Sequence, residues 1–136
     1  MEDKQFRKSD IITIVDVAML VNQFYDKIRQ DEFLAPVFNS VIKENWDAHL
    51  NRMIDFWSTM LLYTKAYKGD PMPKHLPLPI AKQHFDQWLL LFNETLDELF
   101  EGPIADNARK RAENIARIMM AVKEPTKNQL INKVIE

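Results

Sequence analysis

Apolar residues recur along most of this chain at intervals of three and four, the spacing that gathers them on one side of an α-helix. The first such stripe is Val17, Leu20, Val21, Phe24, Tyr25 and Ile28, with polar residues between them. It predicts a helix that runs to about Gln30. Its start is marked by "TIVD", residues 13–16. A threonine at the cap can accept from a free N–H of the first turn, and an acidic side chain three residues on can return the bond. "DEFLAPVFNSVI" then predicts a short, turn-like helix interrupted by Pro36, because proline removes a backbone donor. The next stripe begins near Asn45 or Trp46 and runs to about Lys65. An advance of about 100° per residue puts His49, Met53, Phe56, Trp57 and Met60 on one face. Asp47, Asn51, Asp55, Ser58 and Thr59 fall on the other.

A fourth helix, from about Ile80 to Glu101, carries Phe85, Trp88, Leu89, Phe92, Leu96, Leu99 and Phe100 along one side. "EGP" follows, with Gly102 past the end of one helix and Pro103 just inside the start of the next. The last stripe, over about 104–122, turns Ile104, Ala108, Ile115, Ile118, Met119 and Val122 inward. No stretch alternates with the period of two that a strand requires. The chain therefore reads as all-α, with four long helices and short connectors. A four-helix bundle, a helical adaptor and a globin-like sandwich all fit that description. After Pro125 the tail 123–136 reads as a short helix or as chain without fixed structure.

One stretch breaks the helical pattern. "PMPKHLPLP", residues 71–79, sets four prolines around His75. Proline disfavours helix at the residue before it, so the histidine lies in a short, stiffened segment between two long helices. Such a segment can aim a metal ligand into a gap. It can equally present a histidine on the surface.

Composition narrows the chemistry. At 136 residues and 46% apolar content the chain fits one domain and can bury a sizeable core. A net charge of −2 without blocks of like charge suggests neither nucleic acid nor an anionic membrane as partner. No apolar run approaches the roughly 18–20 residues of a membrane span. "MEDKQFRKSD" is followed by no signal-peptide apolar region, so a cytoplasmic location is expected. There is no cysteine, which removes disulfides, zinc-thiolate sites, iron–sulfur clusters and thiol catalysis together. The two glycines, Gly69 and Gly102, are too far apart for a dinucleotide fingerprint or a phosphate loop.

The remaining polar candidates are three histidines, three tyrosines and three tryptophans. His49 lies on an apolar face, either as a core histidine with one hydrogen bond or as part of a pocket wall. Tyr25 and Trp88 offer the same two readings, each an apolar body with a donor tip. His84, in the first turn of the fourth helix, fits a surface or capping role. No Glu-x-x-His pair of the di-iron bundles and no His-Glu-x-x-His motif is present. Haem needs only one protein ligand, commonly a histidine, and a large apolar slot. The supply of Phe, Trp and Met on facing helices suits such a slot, and suits an ordinary core as well.

Five segments in order, "LVNQFYDKIRQD", "FLAPVFN", "WDAHLNRMIDFW", "HLPLPIAKQHFDQWLLLF" and "ELFEGPIADNARKRAENIA", resemble the truncated haemoglobins, most closely their group III branch. The resemblance covers about residues 10–122. It implies a shortened globin, a two-over-two helical sandwich enclosing haem b. It also implies that His75 is the proximal iron ligand and that Tyr25, His49 and Trp88 are the distal residues. Phe24, Phe38, Met53 and Trp57 would line the haem pocket, and Arg52 and Lys74 are the candidates for propionate contacts. The glycine pairs of groups I and II are absent, as group III leads one to expect.

The implied function is binding of O2, CO and NO by a monomer, for oxygen or NO handling rather than bulk transport. A redox enzyme, converting NO or reducing peroxide with an external reductase, is the alternative. A haem-free helical adaptor is the reading from a different class.

Overall fold

A computed structural model describes residues 8–64 and 81–122. Among the described residues there are five helices and no strand: α1 (Ile14–Gln30), α2 (Ala35–Ile42), α3 (Trp46–Leu62), α4 (Lys82–Leu99) and α5 (Pro103–Val122). The proline-rich segment with Lys74 and His75, and the tail 123–136, lie outside the described residues.

The Thr13 cap forms as its sequence predicts. The Thr13 hydroxyl accepts from the Asp16 N–H at 3.3 Å, and the Asp16 carboxylate accepts from the Thr13 N–H at 3.0 Å. All six residues of the first apolar stripe are buried, each large aliphatic contributing roughly 1.5–3 kcal/mol relative to exposure. Pro36 does not interrupt α2; it stands at the second helical position, where its missing N–H has no partner within the helix to lose. The turn before α2 is organised by Asp31. Its carboxylate accepts from the N–H groups of Phe33 and Leu34 and from Gln87 Nε2 at 2.8 Å, which ties the turn to α4.

α3 stops at Leu62 rather than Lys65. Tyr63 takes up a left-handed backbone (φ 59°) and its N–H bonds back to the Thr59 carbonyl, which closes the last turn. Ser58, expected on the polar side, is buried. α3 packs on α1 and also meets α5, so its buried sector is wider than a single stripe.

α4 packs against α1 and α5, and Lys27 of α1 reaches both Glu94 and Glu98 of α4 at 3.2 Å. Thr95 is fully buried, with its hydroxyl satisfied by donating to the Leu91 carbonyl. Phe85, Phe92, Leu96 and Phe100 are buried as predicted, with Trp88, Leu89 and Leu99 half-buried beside them. The buried line of α5 is Ala105, Ala108, Ala112, Ala116 and Met119. Ile118, expected inward, is exposed, because it lies about 100° round the helix from Met119.

The three residues between α4 and α5 fold the last helix back on its predecessor. The segment before α1 meets this turn, with the Glu101 N–H donating to the Ser9 carbonyl at 3.1 Å. One pair, α1 with α3, thus faces another, α4 with α5, two helices over two. No helix among the described residues is long and apolar enough to cross a membrane.

Candidate functional site

Where the two helix pairs face each other, the apolar stripes supply rings. Phe24 and Tyr25 come from the end of the α1 stripe, and α2 brings Phe38 against the Tyr25 ring, at 6.3 Å between centroids. His49, in the first turn of α3, meets Tyr25 edge to face at 5.0 Å and 89°. Helical spacing continues that side of α3 with Met53 and Trp57, both buried.

A second cluster lies beside the first. Trp88 of α4 meets Phe24 edge-on at 5.5 Å and stacks with Phe92 at 5.8 Å. Phe92 in turn stacks on Trp57 at 4.9 Å. The Phe24–Tyr25 contact, at 5.0 Å, joins the clusters. The structure thus brings Tyr25 and His49 into direct contact, with Trp88 connected to them through Phe24.

The electrostatics follow from burial. Tyr25 is 3% exposed, and desolvation pushes its phenol above the ordinary tyrosine range, because the charged form has no water around it. The hydroxyl keeps its proton at any physiological pH and remains a hydrogen-bond donor. His49 Nε2 is shut off from solvent. Trp88 contributes an indole N–H, a donor only. None of Phe24, Tyr25, Phe38, His49, Met53, Trp57 or Trp88 is acidic. The ring cluster is apolar with a few hydrogen-bond donors, able to contact apolar groups and a small molecule that accepts hydrogen bonds.

The other candidates stand apart. Arg52 is exposed on α3, open to solvent as a partner for an anionic group at a pocket rim would be. Lys74 and His75 fall outside the described residues. His84 caps, as expected: its Nδ1 accepts from the Ala81 N–H at 2.9 Å and its ring stacks on Phe33 at 4.2 Å. Among the described residues no group of three His, Asp or Glu side chains converges on a metal position.

Sequence reasoning missed Trp46, placing it only as a helix start. Its ring lies 6.0 Å from Tyr25 and 5.9 Å from His49. The signal was there in the spacing, since Trp46 precedes His49 by three residues and the two share a helix face.

Comparison with known proteins points the same way as the fold. Residues 13–124 match the family model described as bacterial-like globin. A group 3 truncated hemoglobin of Campylobacter jejuni is 36% identical over 113 residues, covering 80% of this chain and 89% of that protein. A group 2 truncated hemoglobin of Bacillus subtilis is 30% identical over 107 residues, covering 76% of this chain and 80% of the relative. Among solved structures, the crystal structure of the group III truncated hemoglobin from Campylobacter jejuni superposes with a TM-score of 0.80 at 33% identity. That match covers 88% of this chain and 97% of the other.

Proposed function

The chain belongs to the bacterial-like globin family, on its group III truncated haemoglobin side, and from that membership we propose that it is a haem b protein that retains O2 and also takes CO and NO. Haem, when bound, would supply an iron that takes diatomic gases, and His75 is our candidate for the residue that would hold it. The protein's own contribution is the donor-bearing aromatic wall. The observation that carries the reading is the Tyr25–His49 ring pair, a buried neutral phenol against an imidazole, continued through Phe24 to the Trp88 indole.

A ligand that gains negative character in the pocket is an acceptor for the Tyr25 O–H and the Trp88 N–H. Hydrogen bonds to a charged acceptor contribute about 1.5–3 kcal/mol each. Two of them slow release by roughly two to four decades. CO gains less because it is less polarised. Phe24, Phe38, Met53 and Trp57 exclude water and keep the local dielectric low, which strengthens the same bonds. Slow release suits oxygen or NO handling better than bulk transport. Arg52 and Lys74 are our candidates for the propionates.

The experiment is direct. Purified full-length protein should be red with a Soret band, and His75→Ala should lose or displace that band. A colourless protein that takes up no added hemin overturns the proposal and favours a haem-free helical adaptor.

A further inference from the structure

Trp46, the first residue of α3, is 6% exposed. Its indole N–H donates to Asn39 Oδ1 of α2 at 3.0 Å. The Arg29 guanidinium of α1 lies over its face, 4.5 Å from the ring centroid, in the range of a cation–π contact. With Tyr25 and His49 it closes a triangle of rings whose sides are 5.0, 5.9 and 6.0 Å.

Two registers make the triangle a unit. Arg29 lies one turn beyond Tyr25 on α1, and His49 lies one turn beyond Trp46 on α3, so each helix offers one face to the other. Filling this corner needs only an apolar ring. The Asn39 bond and the Arg29 cover add orientation, because the indole cannot rotate or swing outward without losing both. Arg29 is exposed, which puts the covered face of the indole on the solvent side.

We propose that Trp46 is a positioning residue: held by Asn39 and covered by Arg29, it fixes His49 edge-on to Tyr25 and so sets the direction from which the pair meets a diatomic ligand. The consequence for the ligand rests on the globin reading; the ring geometry does not.

The test uses the full-length chain and two readouts. The first is the His49 imidazole C–H cross-peak in NMR, assigned by its loss in His49→Gln and recorded without added haem. The wild type should give one sharp peak. Trp46→Leu should move it towards an exposed-histidine position, and Asn39→Leu and Arg29→Gln should broaden or split it. Arg29→Lys, which keeps the cation, should restore the single peak. The second readout is O2 dissociation after haem loading, expected to rise about tenfold in Trp46→Leu, while CO dissociation stays within about twofold. An unchanged cross-peak and an unchanged O2 rate in Trp46→Leu overturn the proposal. Should that variant fail to fold, Arg29→Gln and Asn39→Leu decide, and a wild-type peak in both overturns it. Failure to bind haem sinks the globin reading alone, since the cross-peak still decides the role of Trp46.

Discussion

Asp10 occupies the space that a side chain at Gly102 would need: a Cβ built there falls 2.6 Å from Asp10 Cγ. The same carboxylate accepts from the N–H groups of Ile104 and Ala105 at 2.9 and 2.8 Å, so the segment before α1 caps the start of α5. Gly102 has φ +145°, a region that other residues enter at a cost of about 1–3 kcal/mol. Glycine is thus required twice, for its backbone angle and for the carboxylate beside it.

This predicts a non-additive pair. Asp10→Ala should cost about 0.5–2 kcal/mol, the value of a helix cap. Gly102→Ala should cost more, about 2 kcal/mol or above, since backbone strain and the clash add. In the double variant the contacts with Cγ and Oδ2 are gone while the 2.8 Å contact with the residue 10 Cβ remains, so its cost should still fall short of the sum, by about 0.5 kcal/mol. Urea unfolding of the four proteins completes the cycle, and strict additivity would show that the carboxylate and the glycine are independent.

Ser58 makes the opposite prediction. Its hydroxyl is buried and has no hydrogen-bond partner among the described residues, a situation that costs about 1–3 kcal/mol. Ser58→Ala removes the unsatisfied group and adds a little helix propensity. Stability should rise by about 0.5–2 kcal/mol in thermal or urea unfolding. A loss of stability would mean that the hydroxyl is held by an ordered water.

Ser58 also shows where the sequence stops being informative. A stripe made of large apolar side chains is legible from periodicity alone, and Val17, Leu20, Val21, Phe24, Tyr25 and Ile28 on α1 are all buried as predicted. On α3 a small hydroxyl beside Trp57 looks polar in sequence, yet Ser58 is buried. On α5 Ala108 is buried as predicted, while Ala105, Ala112 and Ala116 are missed, because alanine carries little hydropathy signal. The candidate site is legible in its parts: Tyr25, His49 and Trp88 each stand on an apolar face. Their assembly was not, since no local rule says that a ring on α1 meets a ring on α3 at 5.0 Å; the family resemblance supplied that step. Trp46 escaped for a related reason, its two polar partners coming from other helices.

Replacing Tyr25 by Phe isolates the phenol. The change keeps the ring contacts with Phe24, Phe38 and His49 and removes one O–H, so the shape of the pocket is retained. O2 dissociation from haem-loaded protein should speed up about ten- to a hundredfold, the loss of one bond to a charged acceptor. CO dissociation should change by less than about threefold. Stopped-flow ligand replacement measures both, and equal changes for the two gases would show that the hydroxyl acts by shape instead of by hydrogen bonding.

The same substitution predicts a difference in alkali that needs no haem. Burial raises the Tyr25 phenol in the folded protein above its unfolded value, which is near 10 in model peptides. Below about pH 10 both states hold the proton, and stability does not depend on this group. Above it the unfolded chain loses the proton while the folded chain keeps it, so the unfolded state binds fewer protons and stability falls as pH rises. The slope contributed by one such group approaches about 1.4 kcal/mol per pH unit. Lys27 titrates in the same direction: partial desolvation lowers its pKa, but hydrogen bonds and charge from Glu94 and Glu98 outweigh that and raise it overall. Its contribution is common to wild type and Tyr25→Phe and cancels in their difference. Urea unfolding of both proteins between pH 8 and about pH 11 should therefore show the wild type losing stability more steeply than Tyr25→Phe above about pH 10. Parallel curves would mean that the phenol ionises as readily in the folded protein as in the unfolded chain, and that water reaches the Tyr25 side of the pocket.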